Sequence, residues 1–168
     1  ETYSKLENLN MLEINNGASN RGSDMDYTPY VYDQMLRLGK RISCVGGDDN
    51  HDRIHFFKAW TMVKAESLTH ENILNAIENG DTYASSGPEI TELYYEDGRV
   101  YIKCSDAAAI HLYTAGRRRA RTPEIKDGKP ITEASFEVKE TDFYFRLTVK
   151  DANGNYANTR AYFLDELK

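Results

Sequence analysis

Two cysteines, four prolines, a shortfall of basic charge and the lack of any long apolar run bound this 168-residue chain before a motif is read. Cys44 and Cys104 lie far apart in apolar, strand-like runs without C-x-x-C spacing. The composition is not that of a disulfide-stapled mini-protein, so both read as small buried residues. The 21 Lys and Arg residues stand against 27 Asp and Glu, a net charge of -6. That balance disfavours tight contact with a nucleic-acid backbone, because neutralising phosphates needs a basic face, and argues against nucleic acid as a partner. No apolar run approaches the roughly 20 residues that cross a bilayer, and no charged, apolar and small-residue series at the start reads as a signal peptide. A soluble chain with no membrane partner is expected. It opens on Glu1 rather than Met, which reads as a cut or processed chain, so the compartment stays unknown. Internal repeats and low-complexity tracts are absent.

An apolar fraction of 40% is enough for a packed core in one compact domain or two small ones. The first half alternates strand and helix signals. "NLNMLEINNG" (8–17) reads as a buried strand closed by a turn. Thr28 can cap a helix with Pro29 in its first position, and Val31, Tyr32, Met35, Leu36 and Leu38 form its apolar face up to Gly39. "RISCVGG" is a second strand and "FKAWTMVKAESL" a third, with Trp60 and Met62, and with them Ala59 and Val63, expected to be buried. Thr69 caps a second helix with Glu71 in its first turn, an Ile73, Leu74 and Ile77 stripe, and Gly80 at its end. Strands separated by helices predict an α/β unit with a largely parallel sheet.

"GDTYASSGPE" (80–89) is rich in turn residues and marks a change, so the predicted division is residues 1–87 and 88–168. Beyond it come strand signals without a helix. "ITELYYED" and "RVYIKCSD" flank Asp97 and Gly98, a hairpin turn. In the last hairpin Phe145, Leu147 and Val149 are expected inward and Tyr144, Arg146, Thr148 and Lys150 outward, with Asn153 and Gly154 at the turn. About seven short strands fit a small antiparallel β-sandwich of immunoglobulin-like type.

The densest chemistry lies in "VGGDDNHD" (45–52), where three aspartates and a histidine directly follow an apolar strand. One reading is a polar turn, since Asp and Asn bond their own backbone and Gly46 and Gly47 supply freedom. The other is a metal site. On an extended segment residues two apart project together, so Asp49 and His51 would share one side, a carboxylate and an imidazole suited to zinc, iron or manganese. Asp48 or Asp52 could fix the His51 ring from behind. Glu13 and Asn15, near the end of the preceding strand, could face the same crevice, Glu13 as a ligand or as its support. His55 falls four residues past His51, a weak H-x-x-x-H match without the expected glutamate. His70 and His111 look ordinary. Two ligands do not hold an ion, because protein metal sites need roughly three or four.

"GGDDNH", a following strand, "SLTHENILNAIENGDTYASSGPEI" and a small β-sandwich ending in "DANGNYANT" resemble the C-terminal portion of a two-domain PHP (polymerase and histidinol phosphatase) metal-dependent phosphoesterase. The resemblance covers nearly the whole chain. It implies a distorted seven-stranded β/α barrel whose last metal motif, G-x-D-x-H, matches Gly47, Asp49 and His51, with "MLEINNG" similar to the strand before it. The family opens on H-x-H and adds further histidines and acids, and none precedes Glu1. The resemblance therefore implies the closing part of a barrel plus an appended sandwich. Its parent would be a hydrolase with two or three divalent ions (zinc, manganese or iron) that activate water against a small phosphorylated substrate. The piece alone would be inactive and could hold no metal, and a sheet edge left uncovered could drive self-association.

Two rival readings stand beside it. The sandwich could be a binding or scaffolding module, with Arg117, Arg118, Arg119 and Arg121 as an anion clamp; the plainer view of those arginines is a solvated strand end. The tyrosines of "LYYEDGRVY" could stack on carbohydrate, although strands favour tyrosine anyway. A degenerate PHP barrel would retain D-x-H without catalysis.

Overall fold

The computed structural model describes residues 5–18, 29–116, 119–122 and 128–167, which form a mostly β-sheet protein with two short helices. None of the helices among these residues is long and apolar enough to cross a membrane. The chain divides into two compact units, Glu1–Ser86 and Gly87–Lys168.

In the first unit β1 (Met11–Asn16) and β2 (Ser43–Gly47) pair in parallel. A parallel pair needs a crossover, and α1 (Pro29–Arg37) lies on that connection. It buries Tyr32, Met35 and Leu36, the i, i+3, i+4 face of an amphipathic helix. The Tyr32 hydroxyl donates to the Ile42 carbonyl at 2.9 Å, which ties the helix to the entry of β2. Thr28, the expected cap, lies outside the described residues. Leu38 was expected on the apolar face and is 66% exposed, because the helix ends at Arg37 and Gly39 turns the chain at φ +84°.

β3 (Trp60–Val63) and β4 (Thr82–Ser85) then pair antiparallel, so the largely parallel sheet expected for this half is not what forms. The helix between them, α2 (His70–Glu78), is capped by Thr69, whose hydroxyl accepts the Asn72 N–H at 3.3 Å. It buries only Ala76 and leaves Leu74 exposed, so it does not form the covering layer that a parallel crossover provides. Trp60 is only half-buried and Met62 is exposed; Ala59 is the buried residue at this strand.

The second unit contains two sheets. β5 (Ile90–Glu96), β6 (Arg99–Ala107) and β9 (Ile131–Glu137) form one, in the order β5-β6-β9. β7 (Ala109–Thr114), β8 (Arg119–Arg121), β10 (Tyr144–Lys150) and β11 (Tyr156–Thr159) form the other, in the order β11-β10-β7-β8, with the short β12 (Tyr162–Phe163) also on β10. Val100 and Ile102 of the first sheet and Ile110, Leu112, Phe145, Leu147 and Val149 of the second are buried, and Tyr95 stacks on Phe145 across 5.7 Å between ring centres. The unit is therefore a β-sandwich. Asp97 and Gly98 both adopt positive φ, +47° and +75°, as a two-residue hairpin turn matching strand twist requires.

β10 departs from the expected in-out alternation: Tyr144, Arg146 and Thr148 are as buried as Phe145, Leu147 and Val149. Their polar groups are absorbed locally. The Arg146 guanidinium lies 4.3 Å from the Tyr113 ring centre and donates to the Thr148 hydroxyl at 3.0 Å, and that hydroxyl donates onward to Asn158 Oδ1 at 2.7 Å. Cys44 and Cys104 are both buried free thiols.

Candidate metal site

The carboxyl ends of β1 and β2 place the acidic cluster. In register, Glu13 faces Val45 while Asn15 and Asn16 face Gly46 and Gly47, and the ladder slips between Glu13 and Asn15. This slip is a bulge, and it breaks the period-2 parity of the strand. Asn15 consequently turns into the core, where it is 1% exposed, instead of sharing a side with Glu13. Asn16 takes the place beside Glu13, and its amide donates to Glu13 Oε2 at 3.4 Å and to Asp49 Oδ2 at 3.3 Å. The Asn16 N–H₂ group thus bridges a carboxylate of its own strand and one from the loop after β2, a role for which the sequence carried only the signal of an amide at a strand end.

Asp49 and His51 do come together. Asp49 Oδ1 lies 3.6 Å from His51 Nε2, with both side chains substantially exposed. The cause is not the extended geometry expected of D-x-H. β2 stops at Gly47, and Asp49 adopts φ +49°, a left-handed conformation that Asp tolerates better than most residues. A single left-handed residue redirects the chain so that the two side chains meet across a turn.

Asp48 has a different occupation. Its Oδ1 accepts the N–H groups of Lys58 at 2.6 Å and Ala59 at 2.9 Å, and its Oδ2 that of Phe57 at 2.7 Å. Burial pushes its carboxyl upward, but these backbone donors outweigh it and hold Asp48 below the ordinary 3.8. The carboxylate expected to orient His51 instead fastens the loop before β3 onto the end of β2. Thr61 adds a second fastening: its hydroxyl accepts the Gly46 N–H at 3.0 Å and donates to the Gly46 carbonyl at 2.8 Å.

Asp52 caps a single 3₁₀ turn, Arg53–His55, by accepting the Arg53 N–H at 2.5 Å. His55 closes the same cap. Its Nδ1 accepts the backbone N–H groups of His51 and Asp52, each at 3.2 Å. A neutral imidazole has one acceptor nitrogen, so this use leaves Nε2 carrying the proton. The His51 and His55 rings meet edge to face at 6.3 Å between centres rather than side by side on a helix. Among the described residues no group of three His, Cys, Asp or Glu side chains gathers tightly enough to hold a metal ion.

Of the proposed anion clamp, Arg117 and Arg118 lie outside the described residues. Arg119 and Arg121 are exposed on β8 and pair in register with Tyr113 and His111. Arg119 lies 5.8 Å from the Tyr113 ring centre, and the His111 imidazole is held below its ordinary range by burial first, then by Arg121 and Lys150. His70 is exposed.

Comparisons of the chain with protein-family models, with curated proteins and with solved structures return no match.

Proposed function

We propose that Asp49 and His51 form one edge of a divalent-cation site of the PHP type, and that the protein is part of a metal-dependent phosphoesterase. The observation that carries this reading is the 3.6 Å between Asp49 Oδ1 and His51 Nε2 at the carboxyl ends of two parallel strands. Two tetrahedral ligands at metal bonds of about 2.0–2.1 Å stand about 3.3 Å apart, so the pair needs only a few tenths of an ångström to grip one ion. The donor set suits zinc, manganese or iron. Glu13 stands one amide away through Asn16 and is placed to join as a further oxygen ligand or to keep Asn16 aligned.

When bound, such ions supply a hydroxide at neutral pH and neutralise phosphoryl charge. The residues of this chain orient the site. Asn16 holds Asp49 in line, Asp48 and Thr61 fix the loop that follows, and His55 Nδ1 is taken up by backbone N–H groups. Further ligands are required from outside the described residues. The sandwich topology, with strands one, two and five of the unit in one sheet and three, four, six and seven in the other, supports an immunoglobulin-like appended domain.

Asp49→Asn is the informative variant, because Asn keeps the left-handed backbone and removes the charge. In the full-length protein it should lower both bound manganese or zinc and phosphate-ester turnover. Unchanged metal content and unchanged turnover would reject the proposal. Metal retained by the wild type without turnover on a panel of phosphomonoesters and diesters would favour a PHP-like scaffold that has lost catalysis.

A further inference from the structure

The sheet β5-β6-β9 turns Val100, Ile102 and Phe136 to the core and presents alternate residues to solvent. On that outer face Tyr94 and Tyr101 are register partners, and their rings stack 4.8 Å apart at 11°. Beside the stack lies a groove of about 340 Å³ lined by Tyr94, Tyr101, Lys103, Glu133, Ala134 and Ser135. That volume is at the lower end of small-molecule clefts, roughly 300–1,000 Å³.

The polar rim is set by register: Tyr101 faces Ser135 and Lys103 faces Glu133 on β9. Charges there are answered in place. Lys103 Nζ lies 2.5 Å from Glu92 Oε2, and the Arg99 guanidinium donates to the Ser135 hydroxyl at 2.9 Å. A groove with paired charges has little to attract an ion, but it offers an ammonium donor, a carboxylate acceptor and a hydroxyl within one small area. Strand propensity explains why tyrosine occurs here; it does not explain a cleft walled by a stacked pair and rimmed by mixed donors and acceptors. An aromatic wall with such a rim matches a ligand that has an apolar C–H face and a hydroxylated edge.

We infer that this groove binds a neutral oligosaccharide, one sugar ring lying against the Tyr94–Tyr101 stack and its hydroxyls bonding to Ser135, Glu133 and Lys103. The inference does not rest on the metal site.

The test is calorimetric titration of the whole chain with cellohexaose, xylohexaose, mannohexaose and maltohexaose, with polygalacturonate as an anionic control. Amide chemical-shift mapping accompanies the titration. The expected result is saturable binding of at least one neutral hexasaccharide, with the largest shifts at residues 94, 101, 103, 133 and 135. Tyr101→Ala and Glu133→Ala should each weaken it, the former at least about tenfold, the scale of an anchoring aromatic. Mapping on the unaltered protein decides the matter if Tyr101→Ala does not fold. No binding of any neutral probe at millimolar concentration, binding of polygalacturonate alone, or shifts confined to another surface would each overturn the inference.

Discussion

Asp48 holds Phe57 in a left-handed conformation: its Oδ2 accepts the Phe57 N–H at 2.7 Å while Phe57 sits at φ +57°. A bulky residue rarely adopts that region unless its surroundings over-determine it, and the further bonds from Lys58 and Ala59 to Asp48 do so. The side chain displayed as a result is 87% exposed. Replacing Asp48 with Ala leaves three backbone donors without their charged acceptor. The expected loss is roughly 1–3 kcal/mol in urea unfolding, with faster hydrogen exchange at Phe57 and Lys58. A variant as stable and as protected as the wild type would show that the loop holds itself.

The same carboxylate gives a pH dependence of known sign. Its folded value lies below the ordinary 3.8, so the folded state favours the ionised form. The contribution is fully present above about pH 4 and is lost as pH falls through the folded value. Between pH 5 and pH 2 the wild type should lose more stability than Asp48→Asn, which has no proton to bind at this position. Parallel acid curves for the two proteins would contradict this account.

Gly98 occupies φ +75° in the hairpin between β5 and β6, and Val138 O is the nearest atom to a Cβ there, at 3.8 Å. Space is therefore not the constraint. Gly98→Ala is expected to cost about 1 kcal/mol from backbone conformation alone, read as a lower urea midpoint with an unchanged slope.

Arg146 is 1% exposed, lies against the Tyr113 ring and donates to Thr148. Arg146→Ala should cost about 3 kcal/mol or more, through lost packing and a broken buried polar network. Arg146→Lys should recover little of it, since a compact ammonium cannot lie flat on a ring and reach Thr148 together. A lysine variant with wild-type unfolding would show that charge alone matters there.

The two thiols should resist modification in the native protein. Cys104 is buried, and burial, reinforced by Asp106, pushes its thiol up to about 11, while Cys44 has no exposed surface. Reaction with a thiol-specific disulfide reagent at pH 8 should be negligible until denaturant is added, when two equivalents should appear. Prompt reaction of either thiol would mean that its strand opens locally.

What was legible along the chain was local. The Pro29 start of α1, the Thr69 cap, the Asp97–Gly98 turn and the inward Phe145, Leu147 and Val149 of β10 depend on neighbours a few residues away, and short-range chemistry writes them into the sequence. Three readings failed for one reason. The partner of β3, the burial of Arg146 and the rotation of Asn15 away from Glu13 depend on what lies across a sheet or behind it, and no residue pattern within a strand records that.

The candidate site divides in the same way. Sequence alone determined that a carboxylate and an imidazole, Asp49 and His51, follow a buried strand with glycines at its end. The tertiary structure decided how they meet: a left-handed Asp49 rather than an extended segment brings them to 3.6 Å. A bulge in β1 delivers Asn16 between Glu13 and Asp49, and backbone donors from a distant loop claim Asp48. Carboxylates bind whichever donor is nearest in space, and nearness in space is set by pairing and packing.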